Sequence, residues 1–154
     1  TDLGLVGEIV SVNVPFLQLL LQNGMMPVIA PLAVGDGGEI FNVNADLGAA
    51  AVAAALKAEK LVYLSDVGGI LVNGTLVSTL TKEEAERMIE RGDIFGGMIP
   101  KVTSAFETLG VGVQKVHIVD GRVKHSLLLE IFTDEGIGTQ MIHENRETAR
   151  ESQE

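Results

Sequence analysis

A lysine in an unusual setting is the first candidate for chemistry in this sequence. Residues 96–101 read Gly-Gly-Met-Ile-Pro-Lys. Because proline suits the first helical position, Pro100 predicts that a helix begins there and that Lys101 lies in its first turn, beside free backbone N–H groups. A cation at this positive end of the helix dipole costs about 0.3–1 kcal/mol unless an anion joins it. The spacing favours a phosphate-binding lysine that stabilises a transferring phosphoryl group, over a solvated surface lysine.

Two amides and a carboxylate follow a glycine-rich turn at residues 35–38. Asn44 fits the N-cap of an alanine-rich helix, and Asp46 then lies in the first turn, where its charge complements the dipole. Capping alone would explain this pattern, but a cap needs one amide and Asn42 supplies a second. The alternate spacing could point all three groups into a ligand cleft at strand ends, where Asp46 could orient Lys101.

A polar pair and two glycines come directly after an apolar run at residues 61–64. Residues 65–69 read Ser-Asp-Val-Gly-Gly, so the loop lies at the carboxyl end of a predicted strand. Glycines there would let the backbone approach a ligand and offer N–H groups to phosphate oxygens. An ordinary turn would use the same residues. The loop matches neither a Walker A motif nor a GxGxxG fingerprint.

The remaining reactive residue types support few alternatives. His117 lies on an apolar run and is interpreted as a hydrogen-bonded strand histidine, while His125 and His143 are interpreted as surface residues. The absence of a His/Cys cluster gives a zinc site no support, and the absence of a GxSxG motif gives serine hydrolysis none. No resident metal site is therefore predicted.

Composition limits the classes of partner. The chain has 154 residues, 46% hydrophobic content, no cysteine and a net charge of -10. These values predict one globular domain, and they argue against nucleic acid or an anionic membrane surface as partners. The lack of cysteine fits a reducing compartment, so we expect a cytoplasmic location. No apolar run approaches the ~20 residues of a membrane span, and a chain that begins at Thr1 without a leader predicts a fragment.

Alternating apolar and helix-like segments predict an α/β fold, a three-layer αβα sandwich with a mostly parallel central sheet. Strands are predicted near residues 5–12, 26–31, 61–64, 116–119 and 138–142. Helices are predicted at residues 15–22, 45–57, 82–91, 100–109 and 126–132. Thr81 and Glu84 form a capping box for the third helix, which Gly92 would end. Residues 1–142 are predicted to form one domain, and residues 143–154 a charged, disordered tail.

Three motifs in this order resemble the acetylglutamate kinases of the amino acid kinase family. They are residues 42–46, Asn-Val-Asn-Ala-Asp, residues 65–71, Ser-Asp-Val-Gly-Gly-Ile-Leu, and residues 96–101. Together the motifs are highly specific, and the resemblance extends over about residues 2–142. It implies the C-terminal, ATP-binding half of the amino acid kinase fold. The reaction implied is transfer of the γ-phosphoryl of MgATP to the γ-carboxylate of N-acetyl-L-glutamate.

The resemblance also implies roles for individual residues. Lys101 would stabilise the transition state, and Asp46 would organise the catalytic lysines. Asn42 would contact the acetylglutamate, with Asn44 close by. The residues implied to line the nucleotide are Ser65, Asp66, Val67, Gly68, Gly69, Ile70, Leu71, Asp93, Ile94, Phe95 and Met98.

Residues 117–122 and 128–139 resemble the arginine-inhibited branch of the same family. There His117, Glu130 and Gly136 would help to hold L-arginine, and a carboxylate suits a cationic ligand. The chain departs from that branch at Val72 and Asn73, where regulated members often carry a lysine.

The resemblance further implies an N-terminal half that is not in these 154 residues. That half would supply a second catalytic lysine, most of the acetylglutamate pocket and the contacts that form oligomers, so the chain alone is expected to be inactive. Two alternatives stay open. One is a non-catalytic module that senses arginine or nucleotide, and the other is a different kinase of the family, for aspartate, glutamate, carbamate or uridylate.

Overall fold

The structure is a computed structural model that describes residues 4–133 and 136–143, and these divide into two compact units between Ala58 and Glu59. The first unit contains α1 (Val14–Gln22), β1 (Leu32–Val34), β2 (Ile40–Asn42) and α2 (Ala45–Leu56). The second contains β3 (Lys60–Ser65), β4 (Leu71–Val72), β5 (Thr75–Leu76), β6 (Thr79–Leu80), α3 (Lys82–Glu90), α4 (Met98–Gly110), β7 (Lys115–Asp120), α5 (Ser126–Phe132) and β8 (Thr139–Ile142). The predicted tail, apart from His143, lies outside the described residues.

The second unit is built on a four-stranded sheet in the order β3-β7-β8-β6. β3 pairs with β7 in parallel, β6 pairs with β8 in parallel, and β7 pairs with β8 antiparallel. Parallel pairing of β3 and β7 requires a long crossover, which the helices between them provide. The predicted α/β class with a mostly parallel sheet is confirmed.

Strand β7 lies at the centre of the core. Four consecutive residues, 116–119, are buried, so side chains on both faces of this strand are covered. Helix α4 packs on β7 and β8, α5 packs on β7, and α3 packs on α4. Burial on both faces is what a three-layer arrangement requires of its central strand, and it explains why this run is almost wholly apolar.

Helix ends follow local chemistry. Asn44 accepts a hydrogen bond from the N–H of Leu47 at 3.0 Å, so the predicted cap of α2 is confirmed. The capping box of Thr81 and Glu84 is also present, and Gly92 follows α3 in the left-handed region with φ 79°. All five predicted helices are found, and no end is shifted by more than two residues.

Two predicted strands are wrong. Residues 5–12 and 26–31 contain no regular strand, and the former contributes only a bridge between Val6 and Asn42. A strand needs a continuous ladder of hydrogen bonds with a neighbour, and among the described residues these two segments form only isolated bonds to residues 42 and 43. Their apolar side chains are largely exposed, with Met26 at 87%, Val28 at 94% and Val10 at 97%. The β-branched composition of these segments is therefore not enough to predict a hydrogen-bonded strand.

Five short strands were not predicted. β1 and β2 form a hairpin around the glycine-rich turn at residues 35–38, and β4 and β5 form another around Asn73 and Gly74. Both residues of the second turn have positive φ, 52° and 79°, as an Asn-Gly type I′ turn demands.

No helix in the described part of the chain is both long enough and apolar enough to cross a membrane.

The close contact at Gly138 generates a stability prediction. A Cβ at this position would lie 2.3 Å from the carbonyl oxygen of Ile118, so Gly138→Ala should destabilise the chain by about 1–3 kcal/mol. Gly110→Ala is the matched control, because nothing lies within 4 Å of its Cβ and alanine suits a helix better. Urea unfolding of both variants measures the difference. Equal midpoints would contradict the crowding at Gly138.

Candidate functional site

The carboxyl ends of β3 and β7 meet at one edge of the sheet. Ser65 and Asp120 are register partners, and the N–H of Gly121 donates to the carbonyl of Ser65 at 2.8 Å. The hydroxyl of Ser65 donates to Asp66 Oδ1 at 3.3 Å. The bond from Gly121 ties together the loops that follow the two strands. Open α/β sheets bind ligands at this kind of edge.

The two glycines of the loop after β3 have different surroundings. Nothing lies within 4 Å of a Cβ built on Gly68, so the backbone there is open to a ligand. Gly69 has φ +114°, and its Cβ would lie 2.7 Å from Thr139 Oγ1. Ile70 is 2% exposed. Gly69 is therefore required by contact with Thr139, whereas Gly68 offers the open approach expected from the sequence.

An ion pair missed by the sequence analysis lies at the same edge. Arg122 donates from Nε to Asp120 Oδ1 at 2.9 Å and from a terminal nitrogen to Oδ2 at 2.8 Å. Hydrogen bonds from the side chain and backbone of Arg122 lower the pKa of Asp120 to about 2. The hydrogen bond and charge of Asp120 raise the pKa of Arg122, and the charge of Asp66 adds a smaller effect. The Asp-Gly-Arg spacing after the strand is the signal that could have indicated this pair.

Lys101 lies in the first turn of α4, as predicted, but this helix begins two residues before Pro100. Gly96 adopts φ 57°, and the turn it forms lets the N–H groups of Met98 and Ile99 donate to Phe95 and Gly96. Those N–H groups are thus already used, which corrects the expectation that they are free. Lys101 is half-buried and forms no ion pair with any described residue.

The segment before α4 presents its predicted nucleotide contacts unequally. Asp93 pairs with Arg91 at 3.2 Å between Oδ2 and Nε. Ile94 is 2% exposed and belongs to the core, while Phe95 is 73% exposed. Met98 is half-buried. Only Phe95 of the three residues 93–95 combines a large apolar surface with free access.

Asn42, Asn44 and Asp46 all belong to the first unit. Asn42 ends β2, and its backbone is bonded to Leu5 and to Gly7. Asn44 caps α2, and Asp46 is an acidic residue of its first turn. All three side chains are exposed.

The second unit contains a cavity of about 630 Å³ that gathers the three residues assigned to an effector. His117, Glu130 and Gly136 all line it. Its wall also carries two lysines, Lys60 and Lys115, which are register partners on β3 and β7. Neither lysine was predicted to lie here, because only the register of the sheet brings them to this cavity.

A histidine–carboxylate pair forms the buried wall of this cavity. His117 and Glu130 are 4% and 6% exposed, and His117 Nδ1 is hydrogen-bonded to Glu130 Oε1. Glu130 Oε2 accepts from the N–H groups of Ile137 at 2.7 Å and Gly138 at 3.0 Å. His117 Nε2 has no hydrogen-bond partner among the described residues. The expected hydrogen-bonded histidine is thus satisfied at one ring nitrogen only.

The charges of the pair follow from its surroundings. Burial lowers the pKa of His117, against the raising effect of Glu130, and the charges of Lys60 and Lys115 lower it further. Burial opposes ionisation of Glu130, but hydrogen bonds from Ile137 and His117 outweigh it and hold its pKa below the usual value. At neutral pH the pair is therefore a neutral imidazole that donates from Nδ1 to a carboxylate. Its Nε2 is then an acceptor.

The chain is similar to known kinases. The model of the amino acid kinase family matches residues 1–120. The acetylglutamate kinase of Chlorobaculum tepidum is 54% identical over 144 residues, which are 94% of this chain and 50% of that protein. That of Aquifex aeolicus is 56% identical over 141 residues, 91% of this chain and 47% of that protein. The chain spans about half the length of the curated relatives it matches.

Solved structures agree with this fold. The N-acetylglutamate synthase of Neisseria gonorrhoeae, complexed with coenzyme A and L-arginine, superposes with a TM-score of 0.82 at 37% identity. The match covers 92% of this chain and 33% of that one. Carbamate kinase from Giardia lamblia, bound to AMP-PNP, has a TM-score of 0.57 at 19% identity, over 86% of this chain and 45% of that one. The second likeness concerns the fold alone.

The buried pair generates a prediction of pH dependence. The pKa of His117 is below the usual 6.5, so the unfolded state takes up this proton first and stability falls as the pH drops below about 6.5. The pKa of Glu130 is also lowered, so its contribution is complete above about 4.5 and is lost only at more acidic pH. Urea midpoints measured from pH 7 to pH 5 should decline less in His117→Gln than in the parent.

The control for this prediction is His125→Asn, which removes an exposed histidine whose φ of 63° asparagine tolerates. In this variant the urea midpoint should fall with decreasing pH as steeply as in the parent. The same decline in His117→Gln as in the parent would assign the pH dependence to another group.

Proposed function

This chain belongs to the amino acid kinase family, and from that premise we propose that it is the nucleotide-binding half of an acetylglutamate kinase. The reaction is transfer of the γ-phosphoryl of MgATP to the γ-carboxylate of N-acetyl-L-glutamate, a step of arginine biosynthesis. Support comes from relatives called acetylglutamate kinase at 52–58% identity. ATP enters with Mg²⁺ as the substrate complex.

The observation that carries the proposal is the state of Lys101. It is a half-buried cation in the first turn of a helix, with no ion pair among the described residues. A Cβ on Gly96 or Gly97 would meet nothing within 4 Å, so the approach to this helix end is open. A phosphoryl group in transfer carries charge on its equatorial oxygens, and an ammonium held beside it stabilises the transition state.

The edge of the sheet supplies the nucleotide contacts in this proposal. The loop of residues 65–71 offers open backbone at Gly68, and the exposed ring of Phe95 offers an apolar surface for a base. Backbone N–H groups aimed into a concave loop bind phosphate oxygens without a lysine for each one. Ile70 and Ile94 contribute through backbone and packing, since their side chains are buried.

In this proposal the residues near the acceptor substrate are Asp46, Asn42 and Asn44. Asp46 would organise the lysines, Asn42 would hydrogen-bond the acetylglutamate, and Asn44 would lie close to it. The exposure of all three side chains leaves them accessible to a ligand. The amide of Asn44 still has donor capacity, because its cap uses only the side-chain oxygen.

A complementary N-terminal half completes the enzyme in this proposal. The matched relatives are about twice as long as this chain, and residues 5–12 and 26–31 leave apolar side chains such as Val10 and Val28 exposed. These segments would gain neighbouring strands from that half, which would also bring the second lysine and the oligomer contacts. The chain alone would then bind nucleotide weakly and not turn over. The enzyme would act in the cytoplasm.

A second candidate function, arginine sensing, is favoured by the cavity of the second unit. It gathers His117, Glu130 and Gly136, and the synthase from Neisseria gonorrhoeae named above was solved with L-arginine. Glu130 Oε1 keeps one lone pair beyond its bond to His117, so it can also accept from a guanidinium. The lysines at positions 60 and 115 suit an α-carboxylate. In a kinase, arginine bound at this site would regulate catalysis. In a non-catalytic module, arginine binding would be the whole function.

Replacement of the lysine tests the kinase proposal. Lys101→Ala should lower phosphoryl transfer by about 10²–10³-fold, the usual loss for one electrostatic group in a transition state. The assay uses the chain with an N-terminal half supplied from the Chlorobaculum tepidum relative, and acetylglutamate as acceptor. Lys82→Ala is the control, since Lys82 is exposed and pairs only with Glu86. Equal rates for Lys101→Ala and the parent would refute the role of Lys101.

Calorimetry separates the two candidate functions. L-arginine should bind the parent, whereas citrulline, which has the same shape without the charge, should bind at least about tenfold more weakly. Glu130→Gln should weaken the binding of arginine far more than that of MgATP, with Glu86→Gln as the exposed control. Arginine binding without MgATP binding would favour the sensing module. No heat with arginine would refute the effector site.

A further inference from the structure

A single threonine joins the last strand of the sheet to the loop after β3. Thr139 of β8 is 0% exposed, and its Oγ1 accepts from the N–H of Ile70 at 2.8 Å. The same hydroxyl donates to the carbonyl of Val77 at 2.7 Å. The N–H of Val77 in turn donates to the carbonyl of Ile70 at 2.9 Å. One side chain therefore closes both ends of the β4–β5 hairpin against β8.

The backbone of the loop rests on this hydroxyl. Gly69 has φ +114°, and a Cβ there would lie 2.7 Å from Thr139 Oγ1 and 3.1 Å from its backbone nitrogen. No side chain fits between the loop and Thr139. The loop therefore approaches β8 as closely as backbone allows, and the position of Oγ1 determines where residues 68–70 lie.

The backbone around Thr139 is held by contacts on two sides. Its neighbour Gly138 donates to Glu130 Oε2 at 3.0 Å and lies against the carbonyl of Ile118. Thr139 pairs with Ile118 in the antiparallel ladder of β7 and β8. The backbone that carries the hydroxyl is thus held by the ladder with β7 and, through Gly138, by Glu130.

We propose that Thr139 is a positioning residue for the nucleotide-binding loop, and this inference rests on the function proposed above. It does not contact the nucleotide. Its hydroxyl fixes Ile70, and through Ile70 it aims the N–H groups at Gly68 and Gly69 toward the phosphates of a nucleoside triphosphate. Removal of the hydroxyl leaves a buried donor on Ile70 and a partly buried acceptor on Val77 without their partner, so the loop relaxes to find others.

Two substitutions separate this role from simple packing. Thr139→Val keeps the shape and removes the hydroxyl, while Thr139→Ser keeps the hydroxyl and removes a methyl group. Valine should raise the dissociation constant for MgATP by about fivefold or more, and serine should restore it to within about twofold of the parent. Titration of the purified chain with a fluorescent ATP analogue and Mg²⁺ measures both constants.

Thr108→Val is the matched control for a merely structural effect. Thr108 is also buried, at 2% exposed, and its hydroxyl donates to the carbonyl of Ser104 at 2.8 Å within α4. This variant loses one buried hydroxyl away from the loop. It should lower the melting temperature without changing MgATP affinity, so an effect of Thr139→Val on affinity cannot be a general result of lost stability.

Hydrogen exchange gives a second readout that needs no ligand. In Thr139→Val the amides of residues 66–71 should exchange faster, with those of α4 unchanged. Parental MgATP affinity in Thr139→Val would overturn the inference, and so would parental exchange of residues 66–71. Loss of affinity in both Thr139→Ser and Thr139→Val would also overturn it, because packing would then be the cause. Absence of MgATP binding in the parent would refute the proposed function itself, and with it the nucleotide role of Thr139.

Discussion

Burial of β7 on both faces is the constraint from which the rest of the second unit follows. Its parallel pairing with β3 brings Ser65 beside Asp120 and joins the two loops at the sheet edge. Its antiparallel pairing with β8 places Thr139 within reach of the loop after β3. On the same strand, His117 meets Glu130 of α5 inside a cavity. A central strand covered by helices thus connects the two regions to which chemistry is assigned.

Electrostatics in this chain are local rather than global. The net charge of -10 would repel a polyanion at long range, and salt screens that repulsion beyond about a Debye length. Among the residues proposed to bind the nucleotide, the free cation is Lys101 at a helix end, while Arg122 at the sheet edge is already engaged by Asp120. The proposed phosphate contacts depend mainly on oriented backbone N–H groups, which add no net charge. An acidic protein can therefore bind an anionic nucleotide at one site without attracting nucleic acid.

Local patterns predicted the helices and the long central strands, and tertiary pairing determined what they missed. The five helices and the strands near residues 61, 116 and 139 were predictable because caps and apolar periodicity are local. Residues 5–12 and 26–31 were predicted wrongly, since pairing depends on a neighbour that no local pattern reveals. His117, Glu130 and Gly136 line one cavity, and their role in holding an effector stays a prediction. Lys60 and Thr139 were not predicted as site residues, because their positions depend on pairing between segments more than fifty residues apart.

The order of strands in the central sheet has a consequence for biosynthesis. β8 lies between β7 and β6, so β6 has no hydrogen-bonded neighbour in this sheet until the last described strand has been made. Thr79 pairs with Gln140, which lies 61 residues later in the chain and is synthesised after it. Such non-local contacts slow folding, because the chain must close a long loop before any pairing energy is gained. As the chain leaves the ribosome, β3 and β7 can pair first, and the sheet closes only when residues 139–142 emerge.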